Sequence, residues 1–450
     1  MSEPHDERPS VNAAPSVPAG RQYPAFMAWL RPGMHVKRWL LLMTLGVAFL
    51  GLGIGYFLRE IYESYSFPNE VYYLTLQFLP RPVRGAIFLL AALGMVGVGM
   101  AGFSRTLIAA YRPPNDPRPV AHVIFGQRHR NRGPRIVAIG GGTGLSMLLR
   151  GLKVETDNLT AVVTVADDGG SSGRLRRDLG VLPPGDFRNC IAALADAEPL
   201  VTRLMQYRFE EGELKGHSFG NLFIVAMSGV VGNFEAALQE TSRVLAVRGQ
   251  IVPSTLEDVT LEAEFLDAPN VRGESKIPER GLPISRLSLI PADPDAHPAA
   301  VQAILDADMI VLGPGSLYTS ILPNLLVPGI SAAIRASSAL KVYVCNVATQ
   351  PGETDSYTAE DHVEAINRHV GAGLFRHMLI HDTGSRPVPA DGEAKPVTVA
   401  GRNLPGLKIT YADVVNDHNL LRHDSQKLAA ALIQFWKEHG KSNERSAPAA

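Results

Sequence analysis

One recurring unit constrains the fold of this chain more than any other feature: a short apolar run of strand length, a polar glycine-rich loop, and an apolar segment at helical spacing. Arg135 to Ile139 ends at Gly140-Gly-Gly-Thr-Gly144 and leads into Leu145 to Leu152. Leu159 to Val165 ends at Asp167-Asp168-Gly-Gly-Ser-Ser-Gly173-Arg174. Gly216-His-Ser-Phe-Gly-Asn221 opens the segment Leu222 to Val230, and Asp308 to Leu312 ends at Gly313-Pro-Gly-Ser316 ahead of Ile321 to Leu326. A further strand, Lys341 to Cys345, ends at Asn346. Units of this kind pack as a parallel sheet covered by helices, so the spacing predicts a Rossmann-like three-layer α/β/α domain. Ligands of such sheets gather at the carboxyl ends of the strands, where these polar residues fall.

The first loop aims free backbone N–H groups and the positive end of a helix dipole at one point, which is what holding an anion requires. Its candidates are Gly140, Gly141, Gly142, Thr143 and Gly144, which also suit a plain tight turn. No Lys follows Gly144, so this is not a Walker loop, and Leu145 stands where a dinucleotide fingerprint has its third glycine. In the second loop Asp167 and Asp168 suit a divalent ion such as Mg, a ribose hydroxyl or a proton transfer. Gly170, Ser171, Ser172, Gly173 and Arg174 offer donors to phosphate, the alternative being a solvated turn with capping aspartates. Pro183-Pro-Gly-Asp186 reads as a stiff turn in which Asp186 caps a helix beginning at Phe187. His217 taken alone reads as a capping or surface histidine.

Ahead of this region lie two uncharged runs of about 20 residues, Trp39 to Leu58 and Gly85 to Ser104, each enough to cross a bilayer core. Arg31, Lys37 and Arg38 precede the first, and seven arginines from Arg105 to Arg135 follow the second. The positive-inside rule then places both termini and the main domain in the cytoplasm. Tyr62, Tyr65, Phe67, Tyr72, Tyr73 and Phe78 between the runs suit an interfacial aromatic belt, and Gly51 with Gly55, like Gly97 with Ala101, has the spacing of close helix pairs. The expected organisation is a disordered cytoplasmic tail over 1–37, a transmembrane hairpin over 38–105 and a basic, proline-rich linker over 106–134. A nucleotide-ligand domain over 135–436 and a second disordered tail over 437–450 complete it.

With 43 Lys and Arg against 44 Asp and Glu, the chain has no global attraction for nucleic acid. Its 2 cysteines, Cys190 and Cys345, make neither a disulfide framework nor a spaced zinc site.

The blocks AIGGGTGLSMLLRGLK, VTVADDGGSSGRLR, LGVLPPGDFRNC, GHSFGNL, LAVRGQIVPST, GPGSLYTSILPNLLVPGI and CNVATQPGETDSYTAEDH together resemble the YvcK-like gluconeogenesis factor family of the CofD-like superfamily, over roughly Arg135 to Leu432. The resemblance implies a nucleotide-type ligand, with UDP-sugars the expected class, and a role in bacterial cell shape or wall synthesis linked to carbon metabolism. It also implies that Gly140 to Gly144 hold phosphate, that Asp167 and Asp168 lie beside sugar or Mg, and that Gly313, Gly315 and Ser316 close the other side with Tyr318 and Asn346. Asp186, Arg188, Asn189, His217 and Asn221 are expected to line the cleft. The superfamily's enzymatic branch transfers 2-phospho-L-lactate from a guanylyl-activated donor in a Mg-dependent reaction.

Three functions are open at this point. The first is a regulator anchored in the bacterial inner membrane that binds a nucleotide-sugar and relays it to wall-synthesis proteins or a kinase, as a monomer or a homo-oligomer. The second is a Mg-dependent transferase, and the third a nicotinamide-dependent oxidoreductase in which Asp167 would take the ribose. Asp424 or Ser425 is expected to cap the last helix, Gln426 to Trp436, and a phosphate on Ser425 would sit at that helix start as a switch.

Overall fold

The computed structural model of the chain describes residues 36–64, 69–111 and 130–440, apart from 197–198, 267, 385, 389–391, 393 and 403. The expected disorder over most of 1–37 and 437–450, the larger part of the linker, and Tyr65 and Phe67 lie outside the described residues. The chain divides into two units, Met1–Arg128 and His129–Ala450.

The first unit contains helices over Val36–Ser64, Asn69–Leu74 and Arg81–Tyr111, so helix extends beyond both ends of each apolar run. Among the described residues one helix, Arg81–Gly102, is long and apolar enough to cross a membrane, with a mean hydropathy of 2.0. Thr44–Arg59, the apolar part of the first helix, is shorter. Among the described residues, added methyl groups at Gly51, Gly55 and Gly97 would meet nothing within 4 Å.

In the second unit the strands β1 (Ile136–Gly140), β2 (Leu159–Val163) and β3 (Gln250–Pro253) precede an antiparallel insert of β4 (Thr260–Phe265), β5 (Ala268–Arg272) and β6 (Ile284–Ile290). Then come β7 (Met309–Leu312), β8 (Leu340–Val344), β9 (His377–His381) and β10 (Lys408–Ala412). Seven of them form one parallel sheet in the order β10-β9-β8-β7-β1-β2-β3. Every residue of β1 and β7 is buried, as parallel strands covered on both faces require. The three insert strands form a separate sheet in the order β5-β4-β6, which the sequence reading did not anticipate. In β4 buried and half-buried residues alternate, the pattern of a strand covered on one face.

The sheet order reverses at β1: connections after β1 and β2 run toward β3, whereas those after β7, β8 and β9 run toward β10. Because parallel crossovers are right-handed, the two directions put their helices on opposite faces of the sheet, and a crevice opens where they part.

On one face the helix Gly142–Glu155 packs against Gly185–Leu194 and against the last helix, Ser425–His439. That last helix is capped by Asp424, whose carboxylate accepts from the N–H groups of Gln426 and Lys427, and it runs past Lys437, where the tail was expected to begin. Gly151 is the point of closest approach, since a Cβ there would lie 1.8 Å from the Ser425 carbonyl oxygen. Gly151→Val is therefore expected to destabilise the unit by about 3 kcal/mol or more, read as a clear drop in Tm. An unchanged Tm would contradict this packing.

Candidate functional site

The crevice at β1 holds a cleft of about 650 Å³. Gly141 to Gly144 after β1 and Pro314 to Ser316 after β7 form its facing walls. The two loops touch: a Cβ on Gly144 would lie 2.4 Å from the Pro314 carbonyl oxygen, so only glycine fits. Side chains of Asn324, Asn346 and Gln350 pin the two loops. Asn324 Nδ2 donates to the Gly140 carbonyl (3.0 Å) and the Ser320 carbonyl (2.7 Å). Asn346 Oδ1 accepts from the Gly315 N–H (3.2 Å), and its Nδ2 donates to the Gly315 carbonyl (2.9 Å). Gln350 Nε2 donates to Ser316 Oγ at 2.6 Å.

The N-terminus of the Gly142–Glu155 helix opens into this cleft with Gly141 at its cap, a residue that has no side chain to accept the first N–H groups. Four other helices are closed by the side chains of Ser218, Asn233, Thr358 and Asp424. Asp186 does not cap a helix from Phe187 as the sequence suggested. That helix begins at Gly185 after Pro184, and the buried Asp186 carboxyl reaches across to accept the Gly142 N–H. It presses on Gly141, where a Cβ would lie 2.5 Å from Asp186 Oδ2.

The expected pair of aspartates separates. Asp167 faces the cleft, its Oδ1 accepting the Gly169 N–H at 2.9 Å, whereas Asp168 turns toward the insert and accepts the Ser275 N–H at 2.9 Å. Asp168 therefore does not share a metal position with Asp167. Among the described residues no group of three or more His, Cys, Asp or Glu is arranged to hold a metal ion. The acid that joins Asp167 and Asp186 at the cleft is instead Glu274, contributed by the turn that follows β5.

Burial raises all three carboxyls, and nearby acids add to it: Asp168 for Asp167, Asp167 for Asp186, and both Asp167 and Asp186 for Glu274. Asp186 is pushed up to about 6 and Glu274 to about 8, with Asp167 raised in the same direction.

Nine of the expected site residues line the cleft: Gly141, Gly142, Thr143, Gly144, Asp167, Asp186, Gly315, Ser316 and Asn346. Gly140 and Gly313 lie behind the walls as the last residue of β1 and the turn after β7. Tyr318 does not reach the cleft. A π-helical turn over Leu317–Ile321 carries it into the core, where its hydroxyl bonds that of Tyr357 at 2.8 Å. Gly170, Ser171, Ser172, Gly173, Arg174, Arg188, Asn189, His217 and Asn221 are likewise not in the cleft wall. Most of them form a polar cluster behind Asp167, in which Asn221 Nδ2 donates to Ser171 Oγ at 3.1 Å and Ser171 Oγ bonds His217 Nδ1 at 3.1 Å. Sequence reasoning missed Glu274, Thr164, Thr319, Ser320 and Gln350 in the wall, together with the segment Asn419 to His423 ahead of the last helix. Of these, Gln350 lay in the polar run after β8 and was the nearest to being found.

The raised carboxyls tie stability to pH. The folded state holds these protons more tightly than the unfolded chain, so their contribution is complete below the ordinary carboxyl range and is lost as pH rises through about 6 and then about 8. Tm is expected to fall between pH 5 and pH 9, and Glu274→Gln is expected to flatten that fall. An equal slope in the two proteins would contradict the assignment.

Against this geometry, comparison with known proteins is direct. Residues 136–414 match the family model of the 2-phospho-L-lactate transferase CofD. A gluconeogenesis-factor homologue of Nostoc sp. is 46% identical over 432 residues, covering 92% of this chain and 93% of its own. The gluconeogenesis factor of Bacillus subtilis is 48% identical over 316 residues, which is 68% of this chain and 99% of that one. A crystal structure of a protein from Bacillus halodurans superposes with a TM-score of 0.63 at 46% identity, covering 67% of this chain and 100% of that chain. The α/β architecture with its seven-stranded parallel sheet is thus that of the family, and this chain belongs to the CofD family, among the homologues of the gluconeogenesis factors.

Proposed function

We propose that this chain is a ligand-binding regulator that takes a nucleotide-sugar, with UDP-sugars the favoured class, in the cleft between the loops after β1 and β7. The observation that carries the reading is the meeting of two glycine loops at the point where the strand order reverses, with a helix N-terminus opening between them. That position suits a diphosphate, and the room beside it suits a sugar and a base.

The three cleft acids make the anion conditional. A diphosphate entering beside Asp167, Asp186 and Glu274 is repelled unless the acids hold protons or a divalent cation neutralises them. Mg is held in many nucleotide sites by one or two carboxylates with substrate phosphates completing its shell, so Asp167 and Asp186 suffice on the protein side.

The same arrangement favours the second reading, a Mg-dependent transferase of a phosphorylated group, in which the loops would stabilise charge developing on the transferred group. The regulator is preferred because the carboxylate that meets a wall hydroxyl, Glu353 at 3.2 Å from Thr319 Oγ1, is buried behind the wall with its pKa raised, and so is not an open base. His423 is the histidine in the wall, and burial lowers it to about 4.

The apolar helix Arg81–Gly102, with the first run beside it in sequence, supports an inner-membrane hairpin with both termini and the ligand domain in the cytoplasm. A membrane position would put the ligand domain near wall-synthesis proteins or a kinase, with cell-shape control in response to carbon metabolism as the outcome. Ser425 follows the Asp424 cap in the first turn of the last helix, where the Gln426 and Lys427 N–H groups already donate to Asp424, so a phosphate would have to displace that carboxylate.

Full-length protein in detergent micelles, titrated calorimetrically with UDP-N-acetylglucosamine and followed by product analysis, tests the reading. Saturable binding without product is expected. Affinity should rise with Mg and with falling pH between 9 and 6, and should drop at least tenfold in Gly142→Val. No binding under any of these conditions would contradict the proposal, and turnover would transfer it to the transferase.

A further inference from the structure

The polar cluster behind Asp167 contains more positive charge than its own contacts use. Arg174 donates to the Lys215 carbonyl at 2.9 Å and Arg208 to the Gly216 carbonyl at 2.5 Å, so the two guanidinium groups clasp the Lys215–Ser218 loop from either side. His217 lies in that loop, bonded to Ser171 near the start of the helix Gly170–Leu179. Arg188 packs its stem against the backbone of Gly220, where a Cβ would lie 2.8 Å from its Cγ and Cδ. Its side chain is more than nine-tenths buried, donates to Asn189 Oδ1, and leaves Nε without a partner. Asn221 Oδ1 beside it is also buried and unpartnered. Among the described residues none of the three arginines forms a salt bridge, while Glu210, Glu211 and Glu213 of the same hairpin are exposed.

We propose that Arg174, Arg188, Arg208 and His217 form a second anion site, separate from the glycine cleft, that takes the phosphoryl group of a small phosphorylated molecule. Arginine forks match phosphate oxygens bidentately, and each of these guanidinium groups donates to one neutral oxygen. Ser171 and the first N–H groups of its helix add donors on the same side. Burial and then Arg174 and Arg208, against Asp178, lower the His217 pKa, so a bound phosphate would raise it. The site differs from the glycine cleft in the sign of its charge, although Arg188 also faces Asp186 and Asp167 of the cleft. The cleft is lined by carboxylates and needs a cation or protons to receive an anion, whereas the arginine cluster receives one directly.

The probe is inorganic phosphate, titrated into the full-length protein in detergent without Mg at pH 8. Binding is measured by calorimetry and the His217 ring is followed by NMR. Saturable binding is expected, with the His217 pKa rising on saturation. Affinity should fall at least tenfold in the double variant Arg174→Gln, Arg208→Gln and stay within twofold of wild type in Gly142→Ala. Binding that survives the arginine changes, binding lost in Gly142→Ala whether or not the arginine variant also loses it, or no saturable binding would each overturn the proposal. Both arginines are on the outer side of the cluster, and unchanged UDP-sugar binding or an unchanged Tm in the variant shows that the fold is intact.

Discussion

The close approach of two loops sets the rest of this structure. Gly144 and Pro314 are so near that no side chain fits between them, and Asn324 and Asn346 hold the two loops. This contact joins the end of β1 to the end of β7 across the point where the sheet changes direction, and it leaves the N-terminus of the Gly142–Glu155 helix open toward the cleft. The helix Gly142–Glu155 is itself fixed at Gly151 against the backbone of Ser425, so the last segment of the α/β domain is tied to the first.

The electrostatics of the domain follow from what is packed behind these loops. Asp186 is buried and takes the Gly142 N–H, a carboxyl in the place where an external anion would otherwise be the only acceptor. Asp167 and Glu274 join it, and burial with repulsion from nearby acids raises all three. The charge of the cleft thus changes with pH. Behind Asp167 the sign reverses, with Arg174, Arg188, Arg208 and His217 gathered around a serine and an asparagine. An acidic cleft beside a basic cluster suits a protein that reads more than one anionic group.

Local features of this architecture were legible in the sequence because they depend on neighbours along the chain. The apolar runs of β1, β2, β7 and β8 and the glycine loops after them are contiguous, and each was placed within a few residues. What failed depended on distant contacts. Asp186 looks like a cap for its own helix, yet it crosses to Gly142, and no spacing rule reports that. Tyr318 follows a glycine loop directly, but a π-helical turn rotates it into the core. Glu274 arrives from the antiparallel insert and Asn419 to His423 from the far end of the domain, so neither belongs to a strand, loop and helix unit. The alternation in Thr260 to Phe265 is a strand signal that stands outside the strand, loop and helix units.

A crystal structure of the protein with a UDP-sugar and Mg tests the central claim most directly. The account predicts the diphosphate between Gly141 to Gly144 and Gly315 to Ser316, with its oxygens on the N-terminus of the Gly142–Glu155 helix and the cation beside Asp167 and Asp186. A nucleotide bound elsewhere with this cleft closed by its own side chains, or a diphosphate directed away from both glycine loops, would contradict it.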